Sequence, residues 1–342
     1  MAAKSRKSSS SSGTPGEAGV GSEFSSSSNP DPRCTDPDFP CFPMARAAER
    51  VVAFHGTDGR EFPAFPMVAG KSNPSERKIQ RYGWIPDLPD SRDHMYAAPL
   101  MLSLPSKWDL REQALFPPAY DQAQLGSCTS NALAAAIQFE RTRQGLASAG
   151  LIPSRLFIYY NERVIEGTIL HDVGAQLRDG IKTVVHTGCC FEGNGQGQWP
   201  YNPSQFATAP SPACYQMALK DRVVGYSRLS QSIDQMRGCL ASGYPFMFGF
   251  TVYESFESKE VANNGVVPLP TAHEKAIGGH AALAVGYNDE TQQFIVRNSW
   301  GSQWGQNGYC MMPYSYLSND NLVSDFWTIR LITPPTSPSQ QE

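Results

Sequence analysis

The sequence is short of most features that would name a partner directly. No apolar run approaches the roughly 20 residues of a membrane-spanning helix, so no such span is expected. Its 28 Lys and Arg against 32 Asp and Glu leave a net charge of −4. That is too little of either sign for a nucleic-acid groove or a polybasic membrane-binding face. Eight cysteines in 342 residues are too few for a disulfide-built scaffold. None forms a Cys-x-x-Cys pair beside histidines, so no metal centre is expected. Gly193-Asn-Gly195-Gln-Gly197 matches a phosphate loop only by its glycines, because it leads into Trp199-Pro200 instead of opening a helix. No cofactor is expected, and no internal repeat is visible. What the chain does have is 40% hydrophobic and 11% aromatic residues, enough for a core and against disorder throughout. Its 29 glycines and 27 prolines point to many turns and long loops.

The chain divides by composition. Residues 1–30 hold eleven serines and four glycines, and cannot bury enough surface to offset their chain entropy, so a disordered tail is expected there. Lys4, Arg6 and Lys7 have no apolar segment behind them, so no secretory signal is visible. The cytoplasm is then the default compartment, with lysosomal or vacuolar delivery and secretion as alternatives. Residues 31–103 are proline-rich yet carry Phe39, Phe42, Phe54, Phe62, Phe65 and the run Tyr82-Gly-Trp84-Ile-Pro. Proline at this density forbids long helices and central strands, while the aromatics need a surface to pack on. An extended segment lying on a larger domain satisfies both. From residue 104 to 333 the pattern is that of one enzyme-like domain, followed by a flexible tail at 334–342. Helical periods run over 129–145, 153–165 and 174–187. Short apolar or alternating runs follow at 246–252, 280–287, 294–297, 308–312 and 326–332. Helices first and strands afterwards predict an α+β fold in two halves.

Cys128 stands just ahead of the first helix, where the positive end of the helix dipole favours a thiolate. Alone it reads more readily as a small buried hydrophobe. Downstream, Gly278-Gly-His280-Ala-Ala-Leu places a histidine on an apolar strand, and Phe294-Ile-Val-Arg-Asn298-Ser-Trp300 ends the next strand in asparagine. Two strands joined by a short turn bring His280 and Asn298 side by side. A Cys–His pair oriented by a third polar group is an activated nucleophile.

These segments resemble the papain family of cysteine peptidases. The resemblance runs from about 104 to 331 and includes the opening Leu104-Pro-Ser-Lys-Trp-Asp109 and Trp199-Pro-Tyr201. It implies a papain-like fold, with a helical half and a β-barrel-like half facing each other across a cleft. By position it implies Cys128 as nucleophile, His280 as general acid/base, Asn298 as the residue orienting His280, and Gln122 as oxyanion-hole donor. It further implies Gly126, Gly174 and Trp304 as substrate-binding positions, with Trp300 shielding the His280–Asn298 contact. The activity implied is a cysteine endopeptidase acting on polypeptides through a thioester, in a monomer without cofactor. A papain-fold binding module that no longer hydrolyses, and an acyl transferase using the same residues, are the alternatives.

The sequence also departs from the family. Leu125 and Thr129 stand where the family has a cysteine and an aromatic around its nucleophile. Cys214 resembles a family half-cystine whose partner region, 160–173, has no cysteine. Setting Cys128 aside leaves an odd seven, which argues against an inherited disulfide framework. His171-Asp172 near Gly174 reads first as an exposed polar turn, with contact to substrate as the alternative. Residues 31–103 lack the helical spacing of a family propeptide. Two placements remain for them: along the cleft as an autoinhibitory segment of a zymogen, or as a strap on the back of the domain.

Overall fold

The three longest helices precede the long strands, with short strands ahead of and between them and short helices among the later strands. In the computed structural model, residues 82–98, 103–113, 116–146 and 151–333 are described. The tails expected at 1–30 and 334–342, and residues 31–81 of the proline-rich region, lie outside them. The elements in chain order are β1 (Trp84–Ile85), β2 (Lys107–Asp109), α1 (Cys128–Arg143), α2 (Arg155–Glu166), β3 (Ala175–Gln176), α3 (Leu177–His186), α4 (Pro212–Ala218), β4 (Val223–Arg228), α5 (Ile233–Ala241), β5 (Phe246–Tyr253), α6 (Lys259–Asn264), β6 (Ala276–Asn288), β7 (Gln293–Arg297), β8 (Tyr309–Pro313), α7 (Tyr314–Leu317) and β9 (Val323–Ile332).

The three long helices fall where the sequence predicts them. Ser154 caps α2 by accepting from the Phe157 N–H, and Gly167 ends it in the left-handed conformation. The helix α1 is not one-sided, however. Its Ala132–Ile137 stretch is buried all round, because it lies between α2 and α3 on one side and β6 and β9 on the other. The small alanines allow that close approach. Buried polar groups near its end are paired, Glu140 with Arg143 and Arg141 with Asp221.

A seven-stranded antiparallel sheet runs β4-β9-β5-β6-β7-β8, with β2 also on β6. On β5 the residues alternate as strand geometry requires. Phe246, Phe248, Phe250 and Val252 join an aromatic core with Phe256, Phe294 and Phe326, while Met247 faces the helical side. Both faces of β6 are buried, which explains its nearly unbroken apolar run. Between β5 and β9 the register slips, so Asp325 and Phe326 together oppose Phe248. Asp325 at this bulge has φ of 60°.

Ahead of the domain, β1 pairs in parallel with β3, Trp84 opposite Ala175 and Ile85 opposite Gln176. Farther along, the Tyr96 N–H donates to the Arg228 carbonyl at 2.7 Å. Residues 82–98 therefore form an extended strap tied to the body at both ends, in accord with their proline content.

Candidate active site

Cys128 is the first residue of α1 and is fully buried. The backbone N–H groups of Ala281, Gly83 and Thr129 reach its sulfur. Burial nevertheless dominates and pushes the thiol up to about 12, against the lowering expected from the helix terminus. Contact with Ala281 sets the thiol beside β6, one residue along from His280.

His280 and Asn298 meet as the β6–β7 hairpin predicts, the two strands pairing through Leu283 and Arg297. The His280 Nε2 and the Asn298 Oδ1 are 2.8 Å apart. The same oxygen accepts from the Ser299 N–H at 2.8 Å. His280 Nδ1 has no hydrogen-bond partner among the described residues. The Trp300 ring lies 5.2 Å from the imidazole, and Phe250 lies 5.5 Å away on another side. Burial among these rings drives the His280 imidazole down to about 4, against a raising contribution from Asn298.

Gln122 is buried and held from several sides. Its backbone N–H donates to the Ser299 carbonyl, the Ser299 hydroxyl donates to its Oε1 at 2.6 Å, and its Nε2 donates to the Leu125 carbonyl at 2.9 Å. Tyr201 of the Trp-Pro-Tyr motif donates to the Gln122 carbonyl and contacts the Ser127 hydroxyl. That motif thus braces the loop entering α1. Trp304 is buried, its ring 5.2 Å from Trp300 and 5.6 Å from Phe256.

Gly126 and Gly174 stand on one wall. Asp172 accepts from the Gly126 N–H at 3.0 Å and from the Tyr159 hydroxyl at 2.6 Å. The Gly174 N–H donates to that same hydroxyl. Asp172 is therefore a half-buried tie between the two wall glycines and not the exposed turn expected from sequence. Gly174 has φ of 86°, and a Cβ there would overlap the Gly83 backbone.

The cleft between these walls is filled by the strap. The Gly83 carbonyl accepts from the Ala175 N–H at 2.7 Å, and a Cβ on Gly83 would overlap the Gly126 carbonyl. Tyr82 lies against Gly278 and edge-on to His280, its hydroxyl bonded to Glu257. The Trp84 ring sits on Gly249 and Gly279. In the described part of the proline-rich region, residues 82–84 lie between the Gly126–Gly174 side and the His280 side. Sequence reading missed Gly83, Trp84, Gly249, Gly279 and Asp325 as site residues. The signal available was the unexplained Tyr82-Gly-Trp84 run and the second glycine beside His280.

The six cysteines among the described residues, 128, 189, 190, 214, 239 and 310, are all free and buried. No cluster of His, Cys, Asp and Glu among the described residues is arranged to hold a metal.

Residues 174–322 match the family model described as papain family cysteine protease. The chain is 41% identical over 280 residues to an uncharacterized peptidase C1-like protein of Acanthamoeba polyphaga mimivirus, covering 75% of this chain and 88% of that protein. It is similar at 46% identity to the solved structure of xylellain, a cysteine protease from Xylella fastidiosa, with a TM-score of 0.65 over 73% of this chain and 95% of that one. The fold is also shared with a procathepsin B of Trypanosoma congolense, at 17% identity and a TM-score of 0.54, over 72% of this chain and 84% of that one.

Proposed function

Because the chain belongs to the papain family of cysteine proteases, we propose that it cleaves internal peptide bonds with Cys128 as nucleophile, and that residues 82–98 hold its cleft shut. The observation that carries the reading is the division of labour on His280. Nε2 is engaged by Asn298 at 2.8 Å, which leaves Nδ1 for the thiol. His280 takes the Cys128 proton as the sulfur attacks the substrate carbonyl, and returns it to the departing amine. Asn298 fixes the ring in that orientation, and Trp300 keeps water from the contact. The oxyanion is received by the Cys128 backbone N–H and by the second N–H of Gln122 Nε2. Prior fixation of such donors matters because they pay no reorganisation cost as charge develops, and each is worth about 3 kcal/mol. Water then resolves the thioester.

Cleavage within a chain is supported by what the cleft already holds. Gly83 lies at the thiol with Tyr82 against His280 on one side and Trp84 on Gly249 and Gly279 on the other, so the walls accept neighbours on both sides of the residue at the sulfur and not only a terminus. Closure is supported by chemistry as well as by cover. With the thiol raised and the imidazole lowered, both reacting groups are neutral under the strap. The strap sends the Gly83 N–H toward the sulfur, and an N–H offers nothing to attack.

A peptide of about 20 residues, acetylated and amidated at its ends, tests the reading. Incubation with the full chain carrying Trp84→Ala and Asp93→Ala, which loosens the strap, is expected to give internal fragments that disappear with Cys128→Ser. Intact peptide after long incubation, or trimming only of an uncapped control, would contradict it.

A further inference from the structure

The seat of Trp84 is more specific than closure alone requires. A Cβ placed on Gly249 finds its three nearest neighbours all in the Trp84 ring, and one on Gly279 meets the Trp84 carbonyl oxygen and ring. Neither glycine has a positive φ, so both are small for the sake of what lies over them. Trp84 is 5% exposed and belongs to the buried cluster that also holds Met247, Ala281 and Trp327. At the end of this slot its indole Nε1 donates to Asp325 Oδ2 at 3.2 Å. The bulge between β5 and β9 and the left-handed backbone of Asp325 turn that carboxylate inward.

The partners of Asp325 separate by origin. Oδ1 faces Arg228 of the body at 3.0 Å. Both donors to Oδ2, the Trp84 indole and the Asp87 N–H at 2.8 Å, belong to the strap. When the strap leaves, Oδ2 loses its partners while Oδ1 keeps one. Both hydrogen-bond partners of the Arg178 guanidinium, Asp93 and the Leu88 carbonyl, also leave, while the Trp327 ring beneath it stays. The emptied slot therefore has an apolar aromatic body, one acceptor at its end, and two guanidiniums nearby against a single carboxylate.

We propose that this slot is a specificity pocket for an indole side chain of the polypeptide substrate, and that Asp325 is the residue that selects it. The inference rests on the peptidase reading above and adds the substrate class. A flat ring satisfies the glycine walls, and a donor at its tip satisfies Oδ2. An aromatic ring without a donor leaves a buried carboxylate oxygen unpaired, which is the costly case. A cationic side chain is disfavoured by Arg178 and Arg228, despite the acid at the floor.

The test uses the full chain with Trp84→Ala and Asp93→Ala, both in the strap. Fluorogenic peptides carry, at either of the two residues before the scissile bond, tryptophan, its sulfur isostere 3-benzothienylalanine, or arginine. Tryptophan is expected to exceed the isostere by about 10- to 100-fold in kcat/KM, and to exceed arginine as well. Adding Asp325→Asn should erase the preference. Asparagine tolerates the left-handed backbone, and with its oxygen kept by Arg228 its amide N–H₂ turns toward the indole. A thermal melt of that variant shows that it is folded. Equal rates for tryptophan and the isostere, faster cleavage of the arginine peptide, or a preference that survives Asp325→Asn would each overturn the pocket and leave the peptidase reading intact. No hydrolysis of any peptide in the strap-loosened chain would overturn the underlying reading instead.

Discussion

At Cys128 two opposing effects can be weighed. A helix N-terminus is worth at most about 2 kcal/mol to a thiolate. Raising the thiol from 9.0 to about 12 corresponds to about 4 kcal/mol against it. Burial wins while the strap is in place, so activation belongs to the uncovered state. His280 follows the same logic with the opposite sign. Its folded value of about 4 lies below the ordinary 6.5, so the unfolded chain binds the extra proton between them. Stability from this residue is therefore complete above about pH 6.5 and is lost as the pH falls toward 4, by up to about 3 kcal/mol. Urea melts across that range should show a weaker pH dependence in His280→Ala than in the natural chain, and equal slopes would contradict the burial argument. Cys128 at the head of α1 and the meeting of His280 with Asn298 were legible, because a helix start and a two-strand hairpin are each written in local sequence. Asp325 was not, because its direction depends on a bulge, and a one-residue slip between strands leaves no mark in the apolar pattern.

Among the elements, the long helices stand where their apolar runs were read, α2 with its Ser154 cap and α1 without a side-chain cap or a single apolar face. The main strands follow alternation and flanking turns. The elements α4, β4 and α5 were not legible, being short and only partly apolar. β1 could not have been read as a strand at all: two residues pair with β3, and the pairing exists because Gly83 and Gly174 let two backbones meet. Under the proposed closure the deciding element is β5, whose Gly249 interrupts a row of large side chains beneath Trp84. Gly249→Ala should leave the sheet paired, since its φ is ordinary, but displace the indole. Alkylation of Cys128 by iodoacetamide is expected to rise about tenfold or more in this variant. An unchanged rate would show that Trp84 does not hold the strap.

On the scale of the whole molecule, the protein is a papain-family body with residues 82–98 of its own chain laid over the proposed catalytic site. The strap is fastened apolarly by Trp84 and electrostatically by Asp93. Asp93 accepts from both Arg178 and Arg228, at 2.6 and 2.7 Å. Burial disfavours its carboxylate, yet these bonds more than offset that and hold its pKa below the usual range. Truncating a seated tryptophan costs about 3–5 kcal/mol, enough to shift a docked strap toward release by two orders of magnitude or more. The measurement that bears most directly on the account is the rate of epoxysuccinyl labelling at Cys128, mapped by mass spectrometry at neutral pH in the natural chain and in Trp84→Ala/Asp93→Ala. The expected result is slow labelling in the first and fast labelling in the second, ahead of Cys189, Cys190, Cys214, Cys239 and Cys310, and lost on adding His280→Ala. Equal rates in the two chains, or labelling of Cys128 no faster than of the other thiols, would contradict it.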